Sequence, residues 1–202
     1  IQSCFLLKQG MQSENTVEQK IIYEDSFQNE LSALSVWYKI FGKRDIYGIP
    51  SDEYPDDKVF IKRIGQICNN PICKSRFIDE YFTTIMVYLN PINIYKTSQA
   101  TIKLLDKYKV VPEYKVISIN SKISSNPKQT IQDSIQNAKL ENKKGLIVLS
   151  GKQCSMGVTI EDCDIVILLN DSTGDIVSQQ QFRCMTEAKN KRYGFVIDCN
   201  MY

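Results

Sequence analysis

The sequence contains no histidine, so a Ser-His-Asp triad, a Cys-His protease dyad and every histidine-containing zinc site are excluded. No stretch approaches the roughly 18 consecutive apolar residues of a membrane span. Ile1 to Met11 lack the basic flank and the cleavage pattern of a signal peptide. Membrane and secretory classes therefore fall, and with them much of hydrolase chemistry; no membrane partner is expected. Arginine is missing from the whole of Ile92 to Gln153, although that stretch carries eleven lysines against four acids.

What remains is a chain of 202 residues and 23.2 kDa, 43% hydrophobic and 24% charged, enough for one sizeable core or two small ones. The seven cysteines, Cys4, Cys68, Cys73, Cys154, Cys163, Cys184 and Cys199, are an odd number, and several sit within apolar runs where a free thiol behaves as a small hydrophobe. A reducing compartment, cytoplasmic or nuclear, is the expectation. Cys68 and Cys73 form a lone C-x4-C with no second pair at metal spacing, which favours free thiols over zinc. The first residue is Ile1 rather than methionine, so a fragment or a processed product is expected.

The overall charge of +2 divides unevenly: Ile92 to Gln153 has a net +7 and the remainder −5. A lysine-rich stretch beside an acidic remainder suits a surface that tracks phosphates. Solvated helix faces, or the Lys, Asn and Ile bias of an AT-rich genome, explain it equally well.

Between Ser26 and Gly42, apolar Phe27, Leu31, Leu34, Trp37 or Tyr38 and Phe41 recur at helical spacing, with Gly42 at the stop. A turn-rich stretch around Gly48, Pro50 and Pro55 follows, then a second helix predicted from Asp57 to Ile67, closed by Asn69-Asn70-Pro71. Residues 1–80 are thus mainly helical and bring no nameable chemistry.

Past Tyr81 the pattern becomes strand, helix, strand, helix. Thr84 to Leu89, Lys115 to Ile119, Gly145 to Leu149, Asp164 to Leu169 and Tyr193 to Cys199 are predicted strands. Ile92 to Lys107, Pro127 to Leu140 and Asp175 to about Ala188 are predicted helices. The runs TIMVYL, VISI, LIVL, IVILL and FVI are almost unbroken hydrophobics, as strands covered on both faces require. The fold class is therefore α/β, a parallel sheet with helices on both faces, preceded by a mainly helical segment. Ligands of such sheets bind at the carboxyl ends of the strands, which directs attention to Asn90, Asn120, Ser150, Asn170 and the loops after them.

Two motifs are imitations. Gly145 to Gln153, GLIVLSGKQ, suggests a phosphate loop, but five residues separate its glycines, Gln153 replaces the magnesium-binding hydroxyl, and LIVL is a strand. IVILLND, ending at Asn170-Asp171, mimics a strand that delivers a metal-binding acid, yet without a phosphate loop it has no nucleotide to serve.

The more specific pattern lies in the order GLIVLS, GKQCSM, GVTI, EDCD, IVILLN, SQQQFRCMTEA and GFVID. It resembles the C-terminal RecA-like domain of superfamily 2 helicases and translocases, in which a strand leads to a Gly-hydrophobic-Asp signature and a later helix carries Gln-x-x-Gly-Arg-x-x-Arg. Gly157-Val158-Thr159 stands at the first signature, and Gln179-Gln180-Gln181-Phe182-Arg183 at the second. The resemblance covers residues 81–202, with TIMVYLNP looking like the opening strand. It implies that Gly157 and Thr159 bind nucleotide, Gly157 because a side chain there would block close approach of backbone N–H groups to a phosphate. It implies that Arg183 acts as an arginine finger and that Gln179, one turn earlier, orients water or contacts the nucleotide. Asn90, Asn120, Ser121, Ser150 and Lys152 would hold the phosphate backbone of DNA or RNA with little sequence specificity.

ATP and Mg2+ are the implied cofactors, bound mainly by an N-terminal RecA-like partner domain; no metal site is expected in this chain. Nothing from Ile1 to Phe82 supplies the phosphate-binding lysine or the Asp-Glu metal motif, so the chain by itself is expected not to hydrolyse ATP. The sequence departs from the family at three points: Phe182 replaces a glycine, Thr186 the second arginine and Thr159 an aspartate. Its Lys- and Asn-rich composition and QQQFRCMTEA look like helicases of large cytoplasmic DNA viruses, which implies a virion or viral-factory location. The competing reading is a non-enzymatic α/β module that binds nucleic acid or protein.

Overall fold

In a computed structural model, residues 30–45, 47, 49–55, 58–76, 80–122, 125–152, 160, 163–170 and 174–199 are described. The elements run α1 (Glu30–Phe41), α2 (Phe60–Asn69), β1 (Thr83–Tyr88), α3 (Ile94–Lys107), β2 (Tyr114–Ile119), α4 (Pro127–Leu140), β3 (Gly145–Ser150), β4 (Cys163–Leu168), α5 (Asp175–Gln181), a 3-10 turn (Phe182–Met185) and β5 (Phe195–Asp198). The five strands form one sheet in the order β2-β3-β1-β4-β5, and every pairing is parallel.

Alternation of side chains along each strand assigns the two faces. Ile85, Val87 and Leu89 in and after β1, with Ile147, Leu149, Ile165 and Ile167, bury one face against Trp37 and Ile40 of α1, Ile61 and Ile64 of α2, and Leu104 and Leu105 of α3. Met86, Tyr88, Leu146, Val148, Val166 and Leu168 bury the other against Ile131 of α4, with Val177 of α5 and Cys184 of the 3-10 turn. The sheet is covered on both faces, as the unbroken apolar runs require, and each large side chain buried this way contributes about 1.5–3 kcal/mol. The helices α1 and α2 share the core of the first face with the strands.

Local chemistry sets the ends of the elements. Gly42 takes φ +88° and its N–H closes on the Tyr38 carbonyl at 2.7 Å, the left-handed stop that ends α1. The second helix is described from Phe60 to Asn69, with the Lys58 N–H held in a turn by the Pro55 carbonyl at 2.8 Å before it; its expected start, Asp57, lies outside the described residues. Asn126 caps α4 by accepting from the Gln129 N–H at 3.3 Å, with Pro127 in the first turn.

The helix expected from Asp175 to Ala188 is shorter than its sequence suggests. It gives way to a 3-10 turn at Phe182 and ends at Thr186, whose backbone is extended. Two contacts account for this. The Lys191 ammonium donates to the carbonyls of Thr186 and Cys163, both at 2.7 Å. The backbone of Gly194 lies so near Cys184 that a Cβ there would stand 1.9 Å from the Cys184 carbonyl oxygen. The closing strand shrinks correspondingly, from the expected Tyr193–Cys199 to Phe195–Asp198.

Candidate functional site

Strand register brings Ile119, Ser150, Tyr88, Leu168 and Asp198 to one level at the carboxyl end of the sheet. Asn120, Gly151, Leu89, Leu169 and Cys199 follow immediately, and the N–H groups of Leu89 and Leu169 extend the ladder to the carbonyls of Ser150 and Tyr88 at 2.8 and 2.9 Å. The chain leaves β1 over one face, where α3 packs, and leaves β4 over the other, where α5 packs. The helices that follow β1 and β4 thus lie on opposite faces, the arrangement found at the switch points where parallel sheets bind ligands.

The residues expected to meet nucleic acid occupy this edge in different ways. Asn90 is half-buried, and its Oδ1 accepts the Ile92 N–H at 3.0 Å, which shapes the turn into α3. Asn120 is buried: its Nδ2 donates to Ser118 Oγ at 3.0 Å and its Oδ1 accepts the Lys122 N–H at 3.1 Å. Ser118 Oγ lies 2.7 Å from Ser98 Oγ, and Ser98 donates to the Tyr95 carbonyl at 3.1 Å. This relay ties the loop after β2 to the first turn of α3. Ser121 and Lys152 are exposed. Ser150 is fully buried, and its hydroxyl has no hydrogen-bond partner among the described residues. Gly151 sits against Pro91 and Ile94, where a Cβ would come within 3.3 and 3.2 Å, so the ends of β1 and β3 form one continuous edge.

Gly157 and Thr159, the expected nucleotide contacts, lie outside the described residues. Gln179 is half-buried near the end of α5, and Arg183 is half-buried one turn later, on the 3-10 turn rather than on the α-helix. The glutamine turned inward is Gln180, fully buried, with its Oε1 accepting from Asn170 Nδ2 at 3.2 Å. It pins α5 to the carboxyl end of β4. In a run of three glutamines nothing in the sequence distinguishes the inward one, although a period of 3.6 from buried Cys184 points to position 180. Phe182, at the family's glycine position, is 62% exposed.

The opposite end of the sheet holds an ion pair that sequence reasoning missed. Arg76 Nε donates to Asp164 Oδ1 at 2.6 Å, its Nη2 donates to the same oxygen, and Asp164 Oδ2 accepts the Thr84 N–H at 3.1 Å. Both side chains are almost buried. Burial raises the pKa of the Asp164 carboxyl, against the lowering pull of Arg76 and the Thr84 N–H. Arg76 and Asp164 are 88 positions apart, so no local pattern announces them. Lys191 stands at this end too, its pKa lowered chiefly by burial. Its ammonium is engaged by the two carbonyls already named, at the amino end of β4 and away from Asn90 and Asn170.

Among the described residues there is no group of three or more Cys, Asp or Glu side chains placed to hold a metal, and no helix long and apolar enough to cross a membrane.

No protein-family model matches the sequence, and no curated protein matches it significantly. Solved structures do. The C-terminal part of the Fun30 ATPase domain is similar at 14% identity and a TM-score of 0.39, covering 75% of this chain and 43% of that one. The ATP-dependent Type ISP restriction-modification enzyme LlaBIII bound to DNA is similar at 16% identity and a TM-score of 0.41, covering 70% of this chain and 9% of that one. The chain thus spans less than half of either. Likenesses of this size leave the fold class resting on the topology of the sheet itself, an all-parallel α/β sheet layered by helices.

Proposed function

We propose that this chain is the C-terminal RecA-like half of an ATP-dependent superfamily 2 nucleic-acid helicase or translocase. Residues 81–202 would form that domain, and residues 1–80 a helical segment that packs on it or links it to its partner. The order of the pieces supports the reading: Gly157 and Thr159 follow β3 in the sequence, and Gln179 and Arg183 follow β4, in the order of the two signatures that the resemblance rests on. Arg183 would supply positive charge to a transferring phosphoryl group, and Gln179 would orient water. ATP and Mg2+ would be held mainly by an N-terminal RecA-like domain of the same protein. DNA or RNA would run along the strand ends through its phosphates, with Asn90, Ser121 and Lys152 nearest the surface and Asn120 and Ser150 behind them.

The test is Arg183→Ala in the full-length protein. Nucleic-acid-stimulated ATP hydrolysis should fall by about 10³-fold or more, with the melting temperature unchanged. An unaltered rate in a folded variant would remove Arg183 from the reaction. A second reading, a non-enzymatic binding module, draws on Phe182 and Thr186 standing where the family has glycine and arginine; it expects no ATPase to which Arg183 could contribute.

A further inference from the structure

The loops at the carboxyl ends of β1, β2 and β3 carry no acidic residue. None occurs in 81–105, 114–132 or 142–160, while Lys96, Lys122, Lys128 and Lys152 are all exposed and stand at or just after those strand ends. In their midst is an aromatic ring on the surface. Tyr95, in the first turn of α3, is 42% exposed, and neighbouring Ile92 is 58% exposed. The Lys122 ammonium lies over the Tyr95 ring, 5.6 Å from its centroid. Ile94, beside Tyr95 in the chain, and Pro91 abut Gly151, which precedes Lys152. Tyr95 also stands on a fixed support, since the Asn120, Ser118, Ser98 and Tyr95 carbonyl relay locks the β2 loop to this turn.

We infer that Tyr95 is a stacking platform for an unpaired base, with Lys122 and Lys152 holding the phosphates on either side. The ligand class is single-stranded nucleic acid. Lysines without acids attract any polyanion, but an exposed ring among them adds a flat apolar surface that only a strand with accessible base faces can use. A duplex, whose bases are already stacked, gains the lysines and not the ring. This inference rests on the nucleic-acid reading above and narrows it from DNA or RNA in general to a strand whose bases are free.

The experiment is fluorescence anisotropy of the 202-residue chain at low salt with three labelled probes of equal length: an oligothymidylate, an abasic sugar-phosphate strand and a duplex. The unsubstituted chain should prefer the thymidylate to the abasic strand. Tyr95→Ala should weaken thymidylate binding by about 5- to 150-fold, the range for removing one base-aromatic stack. Binding of the abasic strand and the duplex should stay as it was, and so should the melting temperature. Tyr95→Phe should bind like the parent. Equal thymidylate binding by the parent and Tyr95→Ala would overturn the platform while leaving phosphate tracking intact. So would an equal loss in Tyr95→Phe, which would indicate a hydroxyl contact. Failure of the parent chain to bind any of the three probes would overturn the nucleic-acid reading and the platform together.

Discussion

Ser150 ends β3 with a hydroxyl that is fully buried and, among the described residues, unpartnered. A buried polar group left in that state costs about 1–3 kcal/mol. If Ser150 served the fold alone, alanine would be the better residue. Ser150→Ala is therefore expected to leave the melting temperature unchanged or raise it by a few degrees, while weakening nucleic-acid affinity; the two are checked by thermal unfolding and anisotropy on the same preparation. A fall in melting temperature with unchanged affinity would assign the hydroxyl to structure. The cysteines permit a second prediction at this scale. Burial pushes the Cys163 thiol well above the usual range and raises the Cys184 thiol as well, which disfavours thiolate at both. In the folded protein, iodoacetamide followed by mass spectrometry should find both unmodified while the half-buried Cys73 and Cys199 are labelled.

Elements are held to one another by pairings of two kinds. Arg76 and Asp164 join the end of the helical segment to the amino end of β4, reinforced by the Arg76 N–H to Asn190 carbonyl bond at 2.9 Å and the Arg192 N–H to Ser75 Oγ bond at 3.0 Å. Removing one partner of a nearly buried pair strands the other charge. Arg76→Ala should destabilise by about 3–5 kcal/mol in urea unfolding, and a loss below about 1 kcal/mol would show that solvent reaches Asp164. Glu30 ties α1 to the end of α3 by accepting from Lys107 Nζ and the Tyr108 hydroxyl, both at 2.8 Å. The Lys107 hydrogen bond is the leading cause that lowers the pKa of Glu30. A carboxylate lowered in the folded state adds stability that is full above its unfolded value, near 4.3, and is lost as the pH falls through the lowered one. Acid titration of Glu30→Gln beside the parent should show that increment at neutral pH, with the two curves converging below about pH 4.

The strands were legible because a strand covered on both faces must be apolar at nearly every position, and TIMVYL, LIVL and IVILL say so without ambiguity. The α4 boundaries were equally plain, since Asn126-Pro127 carries its own cap and first-turn chemistry. The far end of the helix after β4 is not legible, because what stops it is Lys191 and Gly194, contacts made from beyond the helix. The same limit hid Arg76–Asp164 and the choice of Gln180 over its neighbours. Of the site, sequence could name the strand-end residues but not their exposure. It could not separate Asn120, whose amide serves the relay to Tyr95, from Lys152, which faces solvent.

Across the whole molecule charge and topology coincide. The lysines that give Ile92 to Gln153 its net +7 include Lys96, Lys122, Lys128 and Lys152 at one edge of the sheet, while Lys107, Lys109 and Lys115 are paired with Glu30, Asp106 and Glu141. A polyanion track at that edge is the central claim, and the salt dependence of binding tests it most directly. Anisotropy of a single-stranded oligonucleotide with this chain, from low to physiological salt, should give log K falling linearly with log salt. The slope should be about −0.7 for each phosphate contacted, close to −3 for four lysines, and should flatten by about 0.7 on changing Lys122 or Lys152 to glutamine. A slope near zero, or one that those substitutions leave unchanged, would contradict the account.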